Sequence, residues 1–98
     1  MFVNIIKSCR DVVTICDSNL IGNYFEEDET QLDIKEDFYK GEDVSREKAI
    51  EIMKDMSKED ATFNIVGEEA VDAAIEAGII SEEGVMKIEG VPFALILI

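Results

Sequence analysis

One stretch of the sequence decides the fold: Phe63-Asn-Ile-Val-Gly-Glu-Glu-Ala-Val-Asp-Ala-Ala-Ile-Glu-Ala-Gly-Ile-Ile80. Its first residues lead into a helix that we expect to begin at Gly67, because carboxylates follow directly and favour the positive end of a helix dipole. Gly78 is well placed to end this helix. Four apolar residues keep the helical period and predict its buried stripe, namely Ala70, Val71, Ala74 and Ile75.

Other helices and strands are predicted on both sides of this stretch. A helix over residues 46–56 follows Ser45, a favourable N-cap. Its apolar residues Ala49, Ile52, Met53 and Met56 follow the spacing of one buried face. The β-branched runs 2–6 and 12–16 predict an antiparallel hairpin. Shorter strands are predicted at 24–25, 30–34 and 85–88, and an apolar strand at 93–98 follows a turn at 90–92.

This order of elements predicts an α+β fold in one small domain over residues 1–98. We expect a mixed or antiparallel sheet with two main helices packed against it. The loop 35–43 is polar except for two aromatic residues, so Phe38 or Tyr39 is expected to fold back onto the core.

Charge is the strongest constraint on function. The chain carries 23 acidic and 9 basic residues, a formal net charge of −14. Nucleic-acid binding depends on clustered lysine and arginine, so no direct nucleic-acid partner is expected. A basic protein partner, or one that meets an apolar patch, fits this charge better. Acidity that only keeps a small protein in solution explains it equally well.

The same sequence points to the cytoplasm. No apolar run approaches the length of a membrane span, and the first residues lack the basic leader of a signal peptide. We therefore expect a cytoplasmic protein without a membrane partner. Cys9 and Cys16 have no zinc or redox spacing and are expected to be free thiols in a reducing compartment.

No catalytic or metal-binding motif stands out. The chain has no histidine, which excludes the commonest catalytic base and metal ligand. We predict no catalytic residues, no metal site and no cofactor, and an enzymatic activity is not expected. The acidic run from Glu26 to Glu29 lacks the alternating ligands and central glycine of a calcium loop, so a solvated loop is the expected structure.

Asn64 is the one polar residue that packing does not readily explain. It stands between Phe63 and Ile65, just ahead of the helix that begins at Gly67. It can tie a loop to the helix end, as asparagine side chains often do. Alternatively, Asn64 belongs to a small polar site that binds a ligand or a metal ion or has a weak enzymatic activity. The candidate binding residues of that site are Tyr39, Glu42, Asn64 and Glu68.

The C-terminal run suggests a further kind of contact. From Phe93 to Ile98 every residue is apolar, which is typical of a strand covered on both faces. If this strand instead lies at a sheet edge, we expect homodimerisation through it, because exposed apolar edges pair with other strands.

The chain resembles an archaeal family known as domain of unknown function 424. The resemblance lies in the opening strand pair, the Phe38-Tyr-Lys-Gly-Glu42 loop, the Asn64-Ile-Val-Gly-Glu68 segment, the helix ending at Gly78, and Gly90-Val-Pro92 with the apolar tail. It implies an archaeal cytoplasmic protein without an established activity, from a family whose genes accompany translation genes and so suggest a role accessory to translation. Together with the charge, it favours a non-enzymatic protein-interaction module, with the small-ligand site as the alternative.

Overall fold

The computed structural model describes residues 1–97 and contains a six-stranded mixed sheet, a two-stranded hairpin and three helices. The strands are Phe2–Ile6 (β1), Val12–Cys16 (β2), Tyr24–Glu27 (β3), Thr30–Asp33 (β4), Glu42–Asp43 (β5), Thr62–Val66 (β6), Met86–Ile88 (β7) and Val91–Ile96 (β8). The helices are Glu36–Tyr39 (α1), Arg46–Lys58 (α2) and Glu68–Glu76 (α3). The predicted α+β class with a mixed sheet is confirmed.

The six-stranded sheet has the order β5-β1-β2-β6-β8-β7. Its central pair, β2 and β6, is parallel, and all other neighbours are antiparallel. The β1–β2 hairpin is confirmed. β6 was not predicted as a strand, because the sequence pattern marked this segment only as the approach to α3. The parallel pair places the ends of β2 and β6 side by side, just where α3 begins.

One face of the sheet carries α2 and α3. Side chains from the central strands meet small and flexible helix residues there, and all of these are fully or almost fully buried: Val13, Ile15, Phe63, Ile65, Ala49, Met53, Ala70 and Ala74. The alanines let the helices approach the sheet closely. The Ser45 hydroxyl accepts a hydrogen bond from the Lys48 N–H at 3.2 Å, which confirms the predicted N-cap of α2.

A single arginine joins the two long helices at the surface. The Arg46 guanidinium lies 3.1 Å from the Asp72 carboxylate and 2.9 Å from that of Glu76. These two carboxylates stand four residues apart on α3, where like charges repel each other. The chain thus relieves this repulsion with its own cation, and no external partner is needed at that position.

The opposite face of the sheet is only partly covered. The β3–β4 hairpin and α1 pack over one half, where Ile34 and Tyr39 are buried against Cys16, Val66 and Phe93. Tyr39 therefore folds onto the core as predicted. The Phe38 ring meets the Tyr39 ring edge to face with centroids 5.0 Å apart. The Phe38 carbonyl accepts hydrogen bonds from Asn4 and Thr14 on the sheet, which hold α1 in place.

The predicted turn at residues 90–92 is wrong by one position. The turn lies at Glu89 and Gly90, which both have positive φ, and Pro92 already belongs to β8. Proline is tolerated there because its missing N–H would face Gly67. The Gly67 carbonyl is already used, since it accepts the Val71 N–H at 2.9 Å.

The prediction that the C-terminal strand is covered on both faces is wrong for its second half. Phe93 and Ala94 are buried, whereas Leu95 is 47% and Leu97 76% exposed. The covering hairpin does not reach that half of the strand. Ile98 lies outside the described residues. Among residues 1–97, none of the helices has both the length and the apolar content needed to cross a bilayer.

Candidate functional site

The candidate site lies where the parallel strands β2 and β6 end. Asp17 follows β2 directly, and its N–H donates to the Val66 carbonyl at 3.0 Å. Its buried carboxylate accepts the N–H of Glu69 at 3.1 Å and that of Ala70 at 2.8 Å. The first N–H groups of a helix have no partner within the helix. Asp17 therefore caps α3 from a distant part of the chain.

Gly67 makes this contact possible. It has a φ of 108°, and a Cβ at this position would overlap the Asp17 carboxyl group. Helix N-termini commonly attract anions, and here the chain's own carboxylate takes that position. The two residues form one structural unit that joins the end of β2 to the start of α3.

Burial changes the ionisation of the groups at this strand end. It raises the pKa of the Asp17 carboxyl above its ordinary value, and the hydrogen bonds from the Glu69 and Ala70 N–H groups offset part of that rise. Burial likewise raises the pKa of the neighbouring Cys16 thiol to about 12, with a smaller contribution from the Asp17 charge. Burial also raises the pKa of Tyr39, which lies beside Cys16. Cys16 and Tyr39 are therefore neutral at physiological pH.

A small open cavity lies beside the Asp17–Gly67 unit. Its volume is about 190 Å³, and its walls are Asp17, Asn19, Leu20, Gly67, Glu68 and residues 90–92. Pockets that hold drug-sized ligands are usually about 300–1,000 Å³. This cavity is smaller, and its size suits one side chain of a partner better than a whole organic ligand.

One exposed carboxylate, Glu68, lines this cavity, and the exposed Glu69 and Glu89 are chain neighbours of residues that line it. Glu26 donates its N–H to the Glu89 carboxylate at 2.7 Å, and Glu89 donates its own N–H to the Glu27 carboxylate at 2.9 Å. These contacts bring the β3–β4 hairpin beside the β7–β8 turn that lines the cavity. We name the exposed carboxylates of Glu26, Glu27, Glu68, Glu69 and Glu89 the acidic end. Within residues 1–97, no lysine forms an ion pair with any of them.

Of the predicted binding residues, the structure places only Glu68 at this cavity. Tyr39 is buried beneath the β3–β4 hairpin, and Glu42 is exposed in β5 at the far side of the sheet. β5 and β6 are three strand spacings apart, about 14 Å, so Glu42 and Asn64 are well separated. The four residues do not converge on one site.

Asn64 lies within β6, opposite Thr14 on β2 and Leu95 on β8. It is half-buried on the face of the sheet that is turned away from α2 and α3. The link between the strand end and the helix, predicted as one role for Asn64, is instead made by Asp17. Asp17 was missed by sequence analysis. The feature that could have identified it is the position of a carboxylate directly after a buried strand rich in β-branched residues. Among residues 1–97, no three histidine, cysteine or acidic residues are grouped so as to hold a metal ion.

Comparisons with known proteins agree with this fold. A solved crystal structure of an uncharacterized conserved protein from Methanopyrus kandleri superposes with a TM-score of 0.87 and 25% sequence identity. The superposition covers 97% of this chain and 88% of that protein. No curated protein matched the sequence. A family model described as a protein of unknown function, DUF424, matches residues 6–98. This match spans nearly the whole chain and confirms the resemblance seen in the sequence, so the chain belongs to the DUF424 family.

Proposed function

We propose that this protein is a non-enzymatic protein-interaction module that binds a basic segment of another cytoplasmic protein at its acidic end. The observation that carries the proposal is the grouping of exposed glutamates at this end of the sheet: Glu68 lines the cavity, and Glu89, next to the 90–92 wall, is hydrogen-bonded to Glu26 and Glu27. Within residues 1–97, none of them forms an ion pair with a lysine. Charged side chains that meet complementary charges at an interface accelerate association and select the partner.

The cavity also suits a basic side chain from a partner. A lysine or arginine side chain that enters it would meet the apolar residues Leu20 and Val91 and the Glu68 carboxylate, all of which line the cavity. Long basic side chains commonly bury their apolar stems in this way while the charged group finds a carboxylate. We therefore expect a partner with a basic residue as its anchor and further basic residues for the rim.

The alternative, a small-ligand or metal-binding protein, has less support. Tyr39, Glu42 and Asn64 do not line the cavity that Glu68 lines. A component of the translation machinery is the partner class to test first, because the family resemblance suggested it.

Affinity capture from an archaeal lysate, followed by mass spectrometry, tests the proposal. The double variant Glu68→Gln/Glu69→Gln removes two charges from the first turn of α3. The matched control Glu47→Gln/Asp55→Asn removes two exposed charges from α2, so the net charge changes equally. We expect a basic partner that the wild type and the control retain at low salt, and that the α3 variant and about 0.5 M salt release. Equal capture by both variants would contradict the proposed surface.

A further inference from the structure

The second half of β8 is an open edge of the sheet. β7 pairs with β8 only from Val91 to Phe93, whereas β6 continues beside β8 as far as Ile96. Beyond Phe93, β8 therefore has a hydrogen-bonded neighbour on one side only. Open edges of this kind readily accept another strand.

The backbone groups that face this open side can be identified from the ladder. The Pro92 carbonyl accepts the Gly67 N–H at 2.9 Å and so points toward β6. Successive residues of a strand direct their backbone groups alternately to the two sides. Ala94 and Ile96 therefore also point toward β6, while Leu95 and Leu97 present their N–H groups to the open side.

The side chains at this edge are apolar and exposed. Leu95 stands opposite Asn64 in the ladder, on the face turned away from α2 and α3, and Leu97 shares that face by alternation. They are 47% and 76% exposed, and Met86 nearby on β7 is 46% exposed. Three of the five large apolar side chains that the described residues expose are thus gathered at one short edge.

We propose that this edge pairs with the same edge of a second copy of the chain, as an antiparallel continuation of the sheet. The twofold axis passes beside Ile96, so that Leu95 of one copy stands opposite Leu97 of the other. Each of these two pairs exchanges its N–H and C=O groups, as hydrogen-bonded pairs do in an antiparallel ladder. The four leucine side chains then meet on one face of the joined sheet.

A second copy fits this edge because the edge is complementary to itself. Leu95 and Leu97 are identical residues, two positions apart, with their backbones and side chains directed the same way. A twofold axis between them therefore matches every group to an equivalent group, as closed dimers require.

Two acidic chains repel each other, but the negative charge is distributed unevenly between the two ends of the sheet. The two turns at this end of the sheet, residues 7–11 and 58–61, contain three positive and three negative residues, and Glu82 and Glu83 ahead of β7 add two negative charges. The acidic end lies at the opposite end of β6, because Thr62 begins that strand and Val66 ends it. Pairing through β8 thus joins the less acidic ends and keeps the acidic ends apart.

The contact area sets the strength of the dimer. Two leucines from each copy bury well below the roughly 1,000 Å² typical of a stable interface, so we expect a weak dimer. Glu82 and Glu83 precede β7 and bring negative charge toward the axis. Because salt screens this repulsion, added salt should strengthen the association rather than weaken it.

Sedimentation velocity of the full chain at about 10 µM to 1 mM, in about 0.05 and 0.5 M salt, tests the proposal. We expect a monomer–dimer equilibrium that salt favours. Leu95→Pro removes one edge-facing N–H without touching the ladder to β6, and Leu97→Lys places like charges across the axis. Each should weaken association about tenfold or more. The control Tyr24→Lys, at a 52% exposed side chain on the β3–β4 hairpin, should leave association unchanged.

Amide hydrogen exchange of the wild type provides a test that does not depend on the folding of a variant. Exchange at Leu95 and Leu97 should slow as protein concentration rises, while exchange at residues 4–6 of β1, which β5 leaves unpaired on one side, stays constant. A wild type that remains monomeric throughout would overturn the proposal. So would a dimer that both variants retain, or one whose Leu95 and Leu97 amides gain no protection.

Discussion

The Asp17 carboxyl group occupies the space that a side chain at Gly67 would need. Each residue explains the other: the glycine leaves room for the carboxylate, and the carboxylate satisfies the first N–H groups of α3. The contact connects the ends of the two central strands to the helix that follows them. The start of α3 is therefore held by a contact between two residues that stand fifty positions apart (67 − 17).

Gly67→Ala should destabilise the protein by about 2–4 kcal/mol, because it adds both an unfavourable positive φ and an overlap with Asp17. Gly78→Ala is the matched control. Gly78 also has a positive φ, of 79°, but a Cβ there meets no atom within 4 Å. That variant should lose only about 1 kcal/mol, from backbone strain alone. Urea unfolding measures both, and equal losses would show that the Asp17 contact contributes nothing.

Asp17→Asn should cost about 1–3 kcal/mol, because the amide can accept only one of the two N–H groups. The cost should also depend on pH. Because the folded-state pKa of Asp17 is raised above 3.8, the folded protein binds this proton more tightly than the unfolded chain does. The contribution of Asp17 to the free energy of unfolding therefore falls as pH rises from 3.8 through the folded-state pKa. The stability advantage of wild type over Asp17→Asn should therefore shrink as pH increases above about 4. Unfolding curves across this range measure it, and an advantage that grows with pH would contradict the raised pKa.

The two cysteines should differ sharply in reactivity. Cys9 is exposed, whereas Cys16 is fully buried with a pKa of about 12. At pH 8 this pKa leaves about one Cys16 thiol in 10,000 ionised, even before access is considered. A disulfide reagent should therefore titrate one thiol in the native protein and two in urea. In Cys9→Ser the native reaction should disappear, and rapid reaction of Cys16 in that variant would show that the strand end opens readily.

Arg46→Ala should lower stability by about 0.5–1 kcal/mol, since it removes an exposed bridge between α2 and α3 and restores the repulsion between Asp72 and Glu76. High salt should reduce this difference toward zero by screening the charges. The double variant Asp72→Asn/Glu76→Gln, which removes both the bridge and the repulsion, serves as control. A loss that persists in high salt would indicate that the alkyl part of Arg46 contributes through packing.

Local patterns in the sequence predicted much of the fold. The β1–β2 hairpin, the Ser45 cap, α2 and α3 all depend on residues within a few positions of each other, and all are confirmed. The turn was predicted less accurately. Gly90-Val-Pro92 has the composition of a turn, but Pro92 lies inside β8, where its missing N–H would face a Gly67 carbonyl that already accepts another hydrogen bond. The short helix α1 was also missed, because it is a single turn that depends on tertiary contacts: the burial of Tyr39 and the hydrogen bonds from Asn4 and Thr14.

The site was harder to predict, because it depends on contacts between distant segments. β6 pairs in parallel with β2, and although Thr62–Val66 is rich in β-branched residues, its sequence does not show which strand it pairs with. Without this pairing, Asp17 has no visible connection to Gly67. Asn64 was predicted as a candidate because it is polar among apolar residues, yet its position in β6 places it on the face of the sheet away from α3. Glu68 was predicted because its place beside the helix start is a local property.

The parallel pairing of β2 with β6 also has a consequence for how the chain reaches its native state. Each pair in this ladder joins residues fifty positions apart, as Val12 and Thr62 do (62 − 12). Contacts this distant require a large loop to close first, and proteins that depend on them fold slowly. If the β1–β2 hairpin forms first, the other edge of β2 stays unpaired until residues 62–66 are in place. During synthesis, the emerging chain cannot complete its sheet before most of its length has left the ribosome.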